Sequence, residues 1–157
     1  MKATLQTSLG DITIEFSDAT PSTVANFTKL AKEGFYDGTK FHRVIHGFMA
    51  QGGDPLTKDD SQAMRWGTGG PGYSFEDEIS SENHNKAGSI SMANSGPDTN
   101  GSQFFINVKD NDFLDDKHTV FGHVTEGMEV VAAIDHTPVN SSDRPIEPVV
   151  IKNVIVS

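Results

Sequence analysis

Arg43 is the residue whose surroundings first point to chemistry. In Phe41-His42-Arg43-Val44-Ile45 a strand-like alternation puts it on the same face as Phe41 and Ile45. A guanidinium beside large apolar groups needs ionic partners or a solvent-filled cleft. One reading is a salt bridge that pins a sheet; the other is a ligand site. Phe48-Met49-Ala50-Gln51-Gly52-Gly53 follows, joining aromatic and thioether groups to one amide beside paired glycines. An apolar cleft with a few placed polar groups is the usual make-up of a ligand site.

Other patterns fail on their context. Gly67-Thr68-Gly69-Gly70-Pro71-Gly72 has dinucleotide-fingerprint spacing. Its lead-in, Asp59–Trp66, is polar rather than strand-like, and Pro71 removes an amide that a pyrophosphate would need. His42 and His46 stand four apart as in a zinc helix, yet Arg43 replaces the required glutamate. In a strand that spacing separates them by about 13 Å, so no metal site is expected. Ser91, His118 and an aspartate would be needed for a nucleophilic triad, but no serine sits in a G-x-S-x-G elbow. The glycosylation patterns at Asn26, Asn100 and Asn140 are chance matches in the absence of a secretory signal.

The elements that would position Arg43 are short. Ala3–Ser8 and Asp11–Phe16 alternate as a hairpin turning at Leu9-Gly10. A helix follows, with Thr20 as N-cap, Pro21 at its first position, Val24, Phe27, Leu30 and Ala31 on one face, and Gly34 as the stop. Phe41–Ile45 and Phe48–Gln51 pair around Gly47. From Gly52 to Ser74 the chain becomes a glycine-rich loop, a length that in compact domains goes with function. Ser89–Ala93, Phe104–Val108 and Thr119–Val124 are further strands, with Asn100-Gly101 as a tight turn. A second helix covers Met128–Ile134. Val149–Val156 closes the series, with Val150, Lys152 and Val154 opposed to Ile151, Asn153 and Ile155. Eight short strands and two helices predict a mainly β barrel or sandwich.

The 157 residues fit one domain, 1–157, and there is no cysteine for a disulfide or thiolate metal site. With 12 basic and 22 acidic residues the formal charge is −10. That argues against nucleic acid and anionic lipid. No apolar run approaches a membrane span, and the first ten residues lack a signal-peptide core. A monomer in the cytoplasm is expected.

Several long blocks then resemble one family in order along nearly the whole chain. Phe41-His42-Arg43-Val44-Ile45-His46-Gly47-Phe48-Met49-Ala50-Gln51-Gly52-Gly53-Asp54 and Ser91-Met92-Ala93-Asn94-Ser95-Gly96-Pro97-Asp98-Thr99-Asn100-Gly101-Ser102-Gln103-Phe104-Phe105-Ile106 are similar to the cyclophilin signature. So are Phe75-Glu76-Asp77-Glu78, Leu114-Asp115 and Lys117-His118-Thr119-Val120-Phe121-Gly122. The resemblance implies a closed eight-stranded antiparallel barrel capped by two α-helices. It implies acceleration of rotation about X-Pro peptide bonds without a cofactor, on proline-containing peptides and on folded or unfolded proteins. A proline-binding module or chaperone with little turnover is the alternative.

Carried over position by position, Arg43, Gln51 and Phe48 would be catalytic. Met49, Ala93, Asn94, Ser95, Gln103, Phe105, Phe113, Leu114 and His118 would bind substrate, with His42 and Gly67 at the rim. Two departures stand out. The family commonly has Trp where this chain has Phe113, so weaker binding of the cyclic peptide cyclosporin is expected. Thr57–Trp66 looks like an insertion before the glycine loop.

Overall fold

Alternating apolar and polar residues build the first hairpin of the computed structural model, which describes residues 1–157. Strand β1 (Lys2–Thr7) pairs antiparallel with β2 (Gly10–Phe16), placing Ala3 opposite Ile14 and Leu5 opposite Ile12. Gly10 is required twice over. Its φ is +131°, and a Cβ there would lie 2.8 Å from Val130 on the second helix.

Helix α1 (Pro21–Lys32) buries Thr23, Phe27, Leu30 and Ala31, while Val24 is half-buried. Thr20 occupies the N-cap position, but its hydroxyl caps nothing. The carboxylate of Glu78 does so instead, accepting from the Ser22 and Thr23 amides at 3.2 and 2.6 Å and from the Thr23 hydroxyl at 2.7 Å. A full negative charge at the helix start also complements the macrodipole, which a threonine hydroxyl would not. Lys29 and Lys32 serve the other end, and Gly34 at φ +74° lets the chain leave the helix.

The remaining strands are β3 (Arg43–Ile45), β4 (Met49–Gly52), β5 (Ser89–Met92), β6 (Phe104–Asn107), β7 (Val120–Glu126) and β8 (Ile151–Val156). Helix α2 (Met128–Asp135) precedes β8 and packs against β2, β3 and β4. No helix is long and apolar enough to cross a membrane. All strands join one antiparallel sheet in the order β3-β4-β6-β5-β7-β2-β1-β8. Three register shifts, at Gln6/Thr7, Thr13/Ile14 and Ile90/Ser91, add twist and curl the sheet.

No ladder joins β3 to β8. The two ends meet through one bridge, Lys40 to Val150, supported by Phe41 N–H to Val149 O at 3.0 Å and Gly38 N–H to Ile151 O at 2.7 Å. The expected closed barrel is thus a curled eight-stranded sheet whose ends touch only between the segment leading into β3 and the start of β8 at Val149–Ile151. Strand β3 is three residues long, and its Val44 amide goes to Asp143 O rather than to β8.

Inside the curl lies a core of 23 buried residues. Phe27 is its hub, with ring centroids 5.0 Å from Tyr36, 5.3 Å from Phe121 and 5.7 Å from Phe104. Phe41 belongs to this core, 6.1 Å from Phe104 in an edge-on contact, and not to the face carrying Arg43. The reason is that Phe41 and His42 precede β3 and do not follow its alternation.

Two more expectations change. Ile151 and Val154 both point into the core because Lys152 is an extra residue opposite β1, so strict alternation along the last strand breaks. Asn100-Gly101 is no hairpin turn; Asn100 bridges to Phe75, and the left-handed residue nearby is Asp98 at φ 58°. The long loop after β4 is also more ordered than expected, holding 3₁₀ turns at Pro55–Lys58 and Asp60–Arg65.

Candidate active site

The register of β3, β4 and β6 fixes the site. Arg43 lies opposite Gln51, and Gln51 opposite Phe105, in one row on the face turned away from the main core. Val44, Ala50 and Ile106 form the neighbouring row and point inward. Arg43 is exposed and takes part in no ion pair, so the reading of a salt bridge pinning the sheet falls. Its Nη1 donates to Gln51 Oε1 at 3.4 Å.

A relay of amides holds that acceptor. Gln51 Nε2 donates to Gln103 Oε1 at 2.9 Å, and Gln103 Nε2 donates to the carbonyls of Gly67 and Gly69 at 3.0 and 2.9 Å. The two carbonyls can only accept, so they set the orientation of Gln103, which sets that of Gln51. The glycine loop is itself pinned from below. Asp54 Oδ2 accepts from the amides of Gly67 at 2.6 Å and Gly69 at 3.1 Å, while Oδ1 accepts from Leu56 N–H at 2.8 Å.

Beside Arg43 sits a small apolar cluster separate from the core. Met49, Phe105 and Leu114 are 2, 4 and 9% exposed, with Ile45, Phe48 and Ala93 against them. Arg43, Phe48, Met49, Gln51, Ala93, Asn94, Phe105, Leu114 and His118 together line a groove of about 300 Å³. His118 closes one side, edge-on to Phe105 at 5.2 Å. Its Nδ1 lies 2.8 Å from Met92 O, an acceptor, so Nδ1 carries the proton and a neutral ring keeps Nε2 as an acceptor. An adjoining, more polar cavity of about 410 Å³ is lined by Gln51, Gly67, Ala93, Asn94, Ser95 and Gln103 among others.

One charged donor over a dry seat, with free main-chain groups alongside, is suited to holding a peptide, and no serine, threonine or cysteine lines the groove. Ser91 is fully buried and donates to Asn85 Oδ1 at 2.6 Å, far from any triad role. The comparison with known proteins agrees. The family model described as cyclophilin type peptidyl-prolyl cis-trans isomerase/CLD matches residues 2–156. The chain belongs to the cyclophilins.

Among relatives of this cyclophilin, peptidyl-prolyl cis-trans isomerase ppi1 of Schizosaccharomyces pombe is 51% identical over 146 residues, which span 92% of this chain and 91% of the relative. Peptidyl-prolyl cis-trans isomerase B of Streptomyces anulatus is 47% identical across 98% of this chain and 95% of its own. A cyclophilin type peptidyl-prolyl cis-trans isomerase of Cryptosporidium parvum, crystallised in the presence of the dipeptide Ala-Pro, superposes with a TM-score of 0.91 at 33% identity, over 100% of this chain and 99% of that one.

Most of the site residues anticipated in the sequence converge here, with differences of position. Phe113 stands at the edge rather than in the groove lining, 64% exposed, with its ring stacked on Phe48 at 5.8 Å. His42 does not reach the rim. It is 6% exposed beneath Gly67, where a Cβ would lie 3.7 Å from Nε2. Burial holds its pKa below the ordinary value against the pull of Asp54. Asn94 spends its side chain on scaffolding, donating to Lys117 O at 2.8 Å and accepting from Gly96 N–H at 3.2 Å. Its main-chain N–H and C=O have no partner within the protein.

The supporting residues were not visible in the sequence. Asp54 carries the glycine loop. Asn111 donates to Phe48 O at 3.0 Å and to Asn107 Oδ1 at 2.9 Å, tying the Phe48 segment to β6. Asn83 donates to the carbonyls of Asp115 and His118 at 2.6 and 2.9 Å, fixing the wall that carries Leu114 and His118. No residue of Thr57–Trp66 lines either cavity. That segment leans instead on Lys40 and Arg144, which flank the Trp66 ring at 5.3 and 4.3 Å.

Proposed function

We propose that Arg43 catalyses rotation about X-Pro bonds by donating a hydrogen bond to the prolyl nitrogen as its amide twists. Amide resonance imposes a barrier of about 18–20 kcal/mol, and no covalent bond needs to break. In the planar ground state the nitrogen lone pair is delocalised and accepts poorly. In the twisted state it becomes localised and basic. A donor aimed there binds the transition state better than the ground state, which is what accelerates a reaction. The guanidinium is always charged and offers several donors in one plane.

The proline ring occupies the seat of Met49, Phe105 and Leu114, with Phe48 beside it. Burying such a ring contributes about 1.5–3 kcal/mol. The free main-chain groups of Asn94 hold the residue next to proline, and the Nε2 lone pair of His118 accepts from a substrate N–H. Ala93, Ser95, Gln103 and Gly67 flank the rest of the peptide. The small Ala93, Ser95 and Gly67 and the Gln103 amide, already committed to the loop carbonyls, leave mainly main-chain atoms to read the peptide backbone, so many flanking residues are accepted. Substrates are then proline-containing peptides and proteins. Cyclosporin is an expected but weak ligand, because Phe113 offers no N–H at the groove edge.

The observation that carries this reading is the Arg43–Gln51 pair set over the apolar seat, with the guanidinium unpaired by any carboxylate. Exchange NMR of an Ala-Pro peptide at substoichiometric protein tests it. Cis and trans signals should broaden and exchange with each other. Binding shifts without any faster cis–trans exchange would leave a binding module in place of an enzyme.

A further inference from the structure

We propose that His46, Asp135 and His136 form a binding site for a divalent transition-metal ion of the Zn²⁺ or Ni²⁺ class. Their ligand atoms all lie within 4.8 Å of one another. A tetrahedral ion with bonds of about 2.0–2.1 Å needs its ligand atoms about 3.3 Å apart. His46 Nδ1 is already 3.0 Å from Asp135 Oδ2. Only the His136 ring has to swing inward, and it is free to do so. His136 is exposed, sits one residue beyond the end of α2, and lies 4.9 Å from the His46 ring between centroids.

Asp135 gives the site its order. Its side chain is only 5% exposed, and Oδ1 accepts from Gly47 N–H at 2.9 Å, which fixes the plane of the carboxylate. Oδ2 has no partner but the His46 ring, whose side chain is 70% exposed. A buried carboxylate normally requires full compensation of its charge. One amide and a solvent-facing imidazole compensate it poorly, whereas a cation shared with two imidazoles compensates it well. An amide that orients a ligating carboxylate is also the usual outer support of a metal site.

The surroundings favour a cation too. The C-terminus of a helix carries partial negative charge, and Asp135 and His136 are the last helical residue and the C-cap of α2. The net charge of −10 draws cations to the surface in general. Two imidazoles and one carboxylate suit Zn²⁺, Ni²⁺ or Cu²⁺, whereas Mg²⁺ and Ca²⁺ prefer oxygen alone. Three protein ligands leave further positions to water.

A pairing of His46 with His42 fails because His42 is buried under Gly67. The partners of His46 come instead from α2, about ninety residues further on, where no spacing motif could show them. The site lies outside the peptide groove, yet the Gly47 amide that Asp135 holds immediately precedes Phe48.

Titration calorimetry of chelator-treated protein with ZnCl₂ tests the proposal, with Co²⁺ absorption as a second readout. One Zn²⁺ per chain is expected. His46→Ala and His136→Ala should each weaken it by at least about 10- to 100-fold, the cost of losing even an outer-shell partner. The double variant should lose both the heat of binding and the visible Co²⁺ band of a four- or five-coordinate site. Both histidines are exposed, so circular dichroism should show the variants folded. No uptake by the unaltered protein at millimolar Zn²⁺ overturns the proposal, as does undiminished uptake by the double variant. His84→Ala is the control, because His84 lies 3.3 Å from Asp115 at a different place and its loss should change nothing.

Discussion

Arg43 and Gln51 face each other in direct register across β3 and β4, and the only side-chain hydrogen bond of the guanidinium is to Oε1 of that glutamine. The bond is long at 3.4 Å, so it orients more than it holds. Because Gln51 is in turn fixed through Gln103 to the carbonyls of Gly67 and Gly69, the guanidinium is aimed by a chain that ends in main-chain atoms. Catalysis by a single placed donor needs such aim, since a mobile arginine would lose the entropy of ordering at each turnover.

Arg43→Ala should lower kcat/KM by about 10²-fold or more while leaving thermal stability near that of the unaltered protein, because the side chain is exposed and carries no ion pair. Gln51→Leu should cost less, about fivefold, the worth of one hydrogen bond of about 1 kcal/mol. A protease-coupled assay on a proline peptide measures both. If Gln51 works through Arg43, the double variant should be no slower than Arg43→Ala alone. Additive losses would show that Gln51 acts on the substrate independently. Near-normal turnover by a folded Arg43→Ala protein would refute the role given to the guanidinium.

The sequence carried local pattern well and long-range support poorly. The hairpin of β1 and β2, the helix from Pro21 and the Arg43 anomaly each follow from residues a few positions apart, and alternation or helical periodicity exposes them. Phe41 was misplaced because alternation says nothing about where a strand begins. Val154 was misplaced because a bulge is set by the partner strand. The cap of α1 comes from Glu78 and the pinning of the glycine loop from Asp54, partners 56 and 15 residues distant at most, recognisable only once the chain is folded. The resemblance supplied the list of groove residues, but not that His42 lies under the loop or that Phe113 stands outside the lining.

Asp54 is fully buried and accepts from three main-chain amides, at Leu56, Gly67 and Gly69. Asp54→Ala would leave all three without this acceptor, and because they are only partly buried and can turn to water, each costs about 1 kcal/mol, the net worth of one hydrogen bond. A loss of about 3 kcal/mol or more is expected in urea unfolding, together with reduced turnover, since the carbonyls that steer Gln103 belong to the same loop. Gly69→Ala should produce the same pair of effects, because a Cβ there would come within 2.1 Å of Asp54 Oδ1. Unchanged stability in both variants would show that the loop does not depend on this carboxylate.

Phe113 stacks on Phe48 with an angle of 20° between the rings and is free on its outer face. Phe113→Trp keeps a flat ring in the same stack and adds an N–H at the edge of the groove. Cyclosporin should bind more tightly, by about five- to tenfold for one added hydrogen bond, while turnover of small proline peptides stays close to that of the unaltered protein. Calorimetry reads the first and the coupled assay the second. No gain in affinity would mean that the drug is limited elsewhere.

His42 should make the protein acid-sensitive through its fold rather than through catalysis. Burial lowers its pKa from the ordinary 6.5, the nearby Asp54 opposes this, and Arg144 and Arg43 reinforce it; Nδ1 is buried without a partner. With the folded pKa below the unfolded one, the unfolded chain binds more protons in that interval. The stabilisation is therefore complete above pH 6.5 and is lost as pH falls from there through the folded value. Burial pushes the Asp115 carboxyl up, but the Asn85 and His84 hydrogen bonds outweigh it and hold the group below its ordinary 3.8, so its contribution begins to fade only below pH 3.8, whereas that of His42 begins to fade below 6.5. Urea midpoints should fall between neutral pH and mildly acidic pH, and His42→Gln should flatten that fall while Gly67 stays in place above it. An equally steep fall in the variant would assign the acid sensitivity to another group.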